Sequence, residues 1–244
     1  MTYYDLPLLK PPVWTWEVPA YFFVGGAAGA VAVLGVAARI AGNDEKLVRD
    51  ARWIAAIGAT VSGPLLVADL GRPERFLNML RVFKPQSPMS VGAWTLALFG
   101  ASSTAALFLP GKTLRDVAAT LSAASGLVMS TYTGVLIGAT SIPAWNRHAN
   151  TLPIHFGASA LGSAVALLEL RGNRSDALNA LGLGAALFES LPGDSDALSH
   201  ALSGTVPLVL RLFGKRKAAA VSSLLGSLIT RYAWVGAGKK KGGA

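Results

Sequence analysis

The chain has 244 residues, of which 52% are hydrophobic and only 14% charged, with no cysteine and a formal net charge of +9. A soluble domain carries about 25% charged residues, so an ordinary soluble fold is excluded. The missing cysteines exclude a disulfide, a thiolate-held iron–sulfur cluster and a c-type haem in this chain. The Lys and Arg flank long apolar runs, where membrane orientation and lipid head groups account for them before nucleic acid does.

The first 17 residues hold Asp5, Lys10, Pro11, Pro12, Trp14 and Trp16 rather than the basic start and short apolar core of a secretory signal. The first apolar helix is therefore expected to be retained. Eight apolar segments follow, at about 18–41, 51–70, 89–109, 116–140, 152–170, 175–191, 197–213 and 218–236. Most reach the roughly 17–25 residues a spanning helix needs. The sixth is interrupted by Asn179 and Glu189, and the seventh is short and holds Pro207. Six spans plus a re-entrant hairpin, or short tilted helices, are the alternatives. The expected fold is an all-α integral membrane protein with about eight transmembrane helices in two four-helix bundles. Its parts are an N-terminal segment 1–17, a first bundle 18–140, a second 141–237 and a basic tail 238–244. Runs of small residues such as Gly25 to Ala30 suit close approach of helix backbones in lipid. Loops near 42–50, 110–115, 171–174 and 214–217 and their flanks carry twelve Lys and Arg, against ten on the other side, four of them C-terminal. The positive-inside rule then puts both termini on the outer side.

Residues 65–94 are the most informative stretch. An apolar run carries Asp69 into its last turn, breaks at Gly71-Arg72-Pro73, passes through a basic, aromatic loop and restarts at Ser87-Pro-Met-Ser90. An acid at membrane depth is rarely kept without a partner or a task. Asp69 is expected either to pair with Arg72, three residues on, or to handle protons. Under the outward topology Glu17, Tyr21, Asp69, Arg72 and His155 fall at one depth, with Tyr132 roughly 12 Å below the outer end of its helix at 1.5 Å per residue. A carboxylate, phenols, an imidazole and a guanidinium suit a quinol, which needs partners for two ring oxygens and a base for its protons. His155 also reads as a helix-end histidine, Glu17 as a first-turn acid, and Tyr132 as an interfacial anchor. His155 and His200 form only a weak haem pair, so no haem is expected. Glu169 beside Arg171 reads as a salt-bridged or snorkelling charge, and Glu189 as interfacial. In the loop, Arg75, Phe76, Arg81, Phe83 and Lys84 alternate cations with apolar groups, and 74–83 suits a short amphipathic surface helix. Lipid contact is one role for it; docking of a soluble electron-carrying subunit is the other.

The same residues carry a family resemblance. Trp14 to Gly29, Asp69-Leu-Gly-Arg-Pro73 through Phe76-Leu-Asn-Met-Leu80 and Ser87 to Trp94, and Tyr132-Thr-Gly-Val-Leu136 with Pro143 to Asn146 and Phe156 to Leu161, are similar to the NrfD/PsrC family of polysulfide-reductase-like membrane subunits. The resemblance covers about 14–170. It implies two four-helix bundles in a prokaryotic cytoplasmic membrane and binding of menaquinone or ubiquinone without haem. It further implies electron exchange with a ferredoxin-like iron–sulfur subunit beside a molybdenum or nickel–iron catalytic subunit. Tyr132 matches a tyrosine that contacts the quinone head group, and Tyr21 a polar first-helix position that can be histidine. Val18 stands where an asparagine can occur, a departure that weakens transfer of the whole site. The expectation is a quinone-binding membrane subunit of a respiratory oxidoreductase. The rivals are a structural anchor with a degenerate quinone site and a small transporter.

Overall fold

The computed structural model describes residues 14–42, 45–69, 76–140, 142–191 and 197–241, the side chains of 77, 240 and 241 excepted. Among them the secondary structure is entirely helical. In chain order come α1 (Glu17–Ile40), α2 (Glu45–Ala68), the single turn α3 (Phe76–Met79), α4 (Pro88–Phe108), α5 (Lys112–Gly138), the turn α6 (Pro143–Asn146) and α7 (Leu152–Leu170). Then come α8 (Asp176–Glu189), α9 (Ala197–His200), a π-helical stretch Ala201–Thr205, α10 (Val206–Leu212) and α11 (Arg216–Lys241). Among the described residues, α1, α2, α4, α5 and α7 are the helices long and apolar enough to cross a membrane. The three later apolar segments are helical as well, but they differ in kind. With 14 residues, α8 falls short of a full span. The run 197–212 is loosened by its π stretch, and α11 carries serines, Thr230, Arg231 and basic ends.

Sequence signals set the helix ends. Ser87 caps α4 by accepting from the Ser90 N–H, with Pro88 at the first helical position, and Ser175 caps α8 by accepting from the Leu178 N–H at 3.1 Å. The turns α1–α2, α4–α5, α7–α8 and α10–α11 each contain a glycine with positive φ, from 69° at Gly42 to 86° at Gly172. All four tight turns lie at the same end of the molecule. The described parts of the longer connections, 76–87 and 142–151, lie at the other.

Helix α1 is the hub and packs against α2, α5, α7 and α11. In lipid no hydrophobic force drives helices together, so close backbone approach and polar contacts do. A Cβ on Gly29 would stand 2.3 Å from the Gly126 carbonyl oxygen, and one on Gly126 would stand 2.6 Å from the Gly29 oxygen. The α1 and α5 backbones therefore touch. Gly58 of α2 admits Ala28 in the same way. Serine pairs add cross-helix bonds, Ser103 to Ser122 at 2.7 Å between α4 and α5 and Ser159 to Ser227 at 2.8 Å between α7 and α11.

Ion pairs pin the tight-turn end. Asp50 of α2 accepts from Lys46, Arg171 and Asn173, which ties α2 to the α7–α8 turn. Glu169 does not pair with the adjacent Arg171. It faces the bundle interior and accepts from both terminal nitrogens of Arg211 of α10 at 3.0 and 2.7 Å, with Gly182 of α8 leaving room for the guanidinium.

Two outcomes follow for thermal unfolding in detergent. Gly126→Val should destabilise the protein by about 1–3 kcal/mol or more through overpacking against α1, whereas Gly100→Ala, with nothing within 4 Å of its Cβ, should be neutral or stabilising. Glu169→Leu should cost about 3–5 kcal/mol because it leaves the Arg211 charge buried alone, and adding Arg211→Met should recover much of that loss.

Candidate functional site

At the loop-rich end, α1, α2, α4 and α5 enclose a cavity of about 120 Å³ lined by Trp14, Val18, Tyr21, Asp69, Met89 and Tyr132 among others. Each polar group arrives from a different element. Tyr21 lies one turn into α1, with its side chain fully enclosed and its hydroxyl without a hydrogen-bond partner among the described residues. Tyr132 comes from the last turns of α5 and lies across Gly92 of α4, where a Cβ would meet the ring carbon Cζ at 2.0 Å. Asp69 follows the last residue of α2. The remaining walls are apolar and include the partly buried Leu66 of α2 and the half-exposed Met89 of α4.

Asp69 has a partner that the sequence did not point to. Its Oδ1 accepts from the Thr15 N–H at 3.0 Å and from the Thr15 hydroxyl at 2.9 Å, so the end of α2 holds the approach to α1. The same hydroxyl also contacts Glu17 Oε2. A threonine hydroxyl has one proton to donate, so two carboxyls converge on a single shared donor. The expected partner Arg72, and Arg75 of the loop, lie outside the described residues.

Aromatic packing fixes the cavity's remaining edge. Trp14 stacks on Trp145 with centroids 5.3 Å apart. Trp145 is fully buried, donates its indole N–H to the Trp234 carbonyl at 2.7 Å, and rests on Gly238. The Tyr232 hydroxyl donates to the Trp16 carbonyl at 2.9 Å. The last helix therefore braces the start of the first.

Tyr21, Tyr132 and Asp69 thus line one cavity, and Glu17 joins them through Thr15. His155 does not line it. Its Nδ1 lies 3.3 Å from Glu189 Oε1, an ion-pair distance off hydrogen-bonding geometry, and its Nε2 and both Glu189 oxygens are buried without hydrogen bonds. Glu189, read as interfacial, is 3% exposed. Behind this pair Arg231 is fully enclosed, donates to Ser159, the Ser227 carbonyl and the Phe156 carbonyl, and sits 5.1 Å above the Phe156 ring. His200 Nε2 bonds the Leu191 carbonyl at 2.6 Å. The signal for this group was an arginine inside an apolar helix, which rarely stands alone at membrane depth.

The amphipathic helix expected over 74–83 is shorter. Among the described residues of that stretch, Phe76–Met79 is helical, and residues 74 and 75 lie outside the described residues. The chain then folds back, with the Lys84 N–H on the Ser90 hydroxyl and Phe83 edge-on to Trp94. Arg81, Phe83 and Lys84 face outward, while Phe76 is half-buried.

Five apolar helices of spanning length, four of them around a small cavity at one end, define a multi-pass membrane protein. The chain belongs to the NrfD_2 family, described as polysulfide reductase, whose sequence profile matches residues 1–191 and so spans α1 to α8. That match bears out the resemblance carried by the Trp14, Asp69 and Tyr132 stretches, and it makes the chain a membrane subunit of a redox complex. A search of curated proteins finds no match.

Proposed function

We propose that the cavity between Tyr21, Asp69 and Tyr132 binds the head group of a membrane quinol, menaquinol or ubiquinol, and that the chain links this quinol to an iron–sulfur partner. The observation that carries the reading is the meeting of an unpartnered buried phenol, a second phenol and a carboxylate in one apolar cavity. Its 120 Å³ is on the scale of the roughly 150 Å³ apolar cavities that accept a benzene ring. In this reading the cavity receives the leading edge of the ring, and an isoprenoid tail leaves past Leu66 and Met89 into lipid. When bound, the quinol supplies two electrons and two protons. The chain's own part is positioning and proton handling. Tyr21 and Tyr132 hold the ring oxygens as hydrogen-bond donors. Asp69 takes a proton, and the Thr15 hydroxyl passes it to Glu17, which is half-buried beside the exposed Thr15 and Trp16. With no cysteine in the sequence, the electrons leave through a cluster on another subunit. The exposed Arg81, Phe83 and Lys84 beside the cavity form the docking surface we assign to it, next to a molybdenum or nickel–iron catalytic subunit. In this reading α8, the run 197–212 and α11 complete eight spans in two bundles in a prokaryotic cytoplasmic membrane, with both termini outside.

A structural anchor is the second reading. It is favoured by Val18, which lines the cavity and brings no polar group. Quinol-oxidation assays on the assembled complex separate the two. Tyr132→Phe and Asp69→Asn should each lower quinol-dependent turnover, Asp69→Asn by about a hundredfold, the lower end of the range for lost acid–base assistance. Gly92→Ala, which pushes the Tyr132 ring aside, should match Tyr132→Phe, and His155→Gln should leave turnover near wild type. Unchanged turnover in both Tyr132→Phe and Asp69→Asn would establish the anchor instead.

A further inference from the structure

Two contiguous cavities open at the tight-turn end of the first four spanning helices, opposite the quinone cavity. One, of about 200 Å³, runs between α1, α2, α4 and α5 and is walled mainly by Ala32, Gly35, Val36, Ala55 and Ala106. The other, of about 360 Å³, lies at the membrane-edge end of the same helices and includes Arg39, Arg49, Arg52, Lys112 and Arg115. They share Arg39, Val48, Arg52, Ala106 and Asp116, so an apolar groove leads directly into a cationic bowl.

The charges in the bowl do not balance. Among the described residues its carboxylates are Glu45 and Asp116. Asp116 already takes both Arg39 at 3.1 Å and Arg52 at 2.6 Å. Arg49, Lys112 and Arg115 have no carboxylate partner among the described residues. Trp53 and Phe108, edge to face at 6.3 Å and both turned outward, mark this level as the membrane–water interface, where aromatic rings concentrate.

We propose that this pair of cavities is a binding site for one anionic glycerophospholipid, with its phosphate on Arg49, Arg52 and Arg115 and one acyl chain in the groove beside Val36. A soluble anion accounts for the cations and leaves the groove unexplained. A zwitterionic lipid accounts for the groove and leaves the excess charge unexplained. Basic pockets between spanning helices on the positive side of a membrane favour anionic head groups on general electrostatic grounds. The site is independent of the quinone reading, since it shares none of that cavity's lining residues.

Native mass spectrometry of the full chain in detergent tests it. The probes are phosphatidylglycerol and phosphatidylcholine with the same acyl chains, and inorganic phosphate. The wild type should retain one phosphatidylglycerol at least about tenfold more strongly than phosphatidylcholine. The double variant Arg49→Gln with Arg115→Gln, which spares the Asp116 pairs, should lose that preference. Val36→Phe, which fills the groove, should lower retention of both lipids. Equal retention of the two lipids by the wild type overturns the proposal, and this comparison needs no variant. A preference unchanged in the double variant overturns it as well, as does retention unchanged in Val36→Phe. Displacement of the lipid by phosphate alone would mark a soluble-anion site.

Discussion

The touching backbones of α1 and α5 at Gly29 and Gly126 are the constraint on which the rest of the structure depends. With no side chain between them, the two helices cross at the shortest separation a backbone permits. Both ends of the bundle then diverge from a fixed point. On one side of the crossing, Tyr21 and Tyr132 are delivered to the same cavity from different helices. On the other, Arg39 and Asp116 are brought to ion-pair distance. A bundle held by larger residues would leave both relationships to the choice of rotamer. Here they follow from the backbone.

The molecule divides its labour between its two ends. The four glycine turns are short, and Asp50 and Glu169 lock neighbouring helices together. The opposite end carries the long connections, the unpartnered Tyr21 hydroxyl and the Glu189 oxygens left without hydrogen bonds. Buried polar groups without partners are disfavoured in a structural core, and in a membrane protein they mark places where a ligand or a proton belongs.

Much of this was legible in the sequence. The apolar segments gave the helices, because spanning length and hydropathy are properties of composition. The Asp69 and Tyr132 stretches gave the family and two walls of the cavity. What could not be read was pairing across the fold. Glu169 reads beside Arg171 by nearness along the chain, and its partner in the structure is Arg211, 42 residues away. Asp69 bonds Thr15, 54 residues away, while Arg72, its expected partner, lies outside the described residues. His155 was grouped with Tyr132 by depth alone. Depth is a single coordinate, and helix rotation turned the imidazole toward Glu189 in the neighbouring helices. The amphipathic spacing of the loop extends past the described helix, which ends at Met79.

The brace between the last helix and the first has a consequence for biogenesis. Trp14 is held by Trp145, and Trp145 in turn by the Trp234 carbonyl and Gly238, while Tyr232 fastens Trp16. During synthesis the first four spanning helices emerge long before these residues exist. The rim of the cavity therefore stays unfinished until the final helix has been made and inserted. The finished form of the cavity is a late product of maturation, and a chain that stops short of α11 has every residue of the cavity but not the brace at its rim.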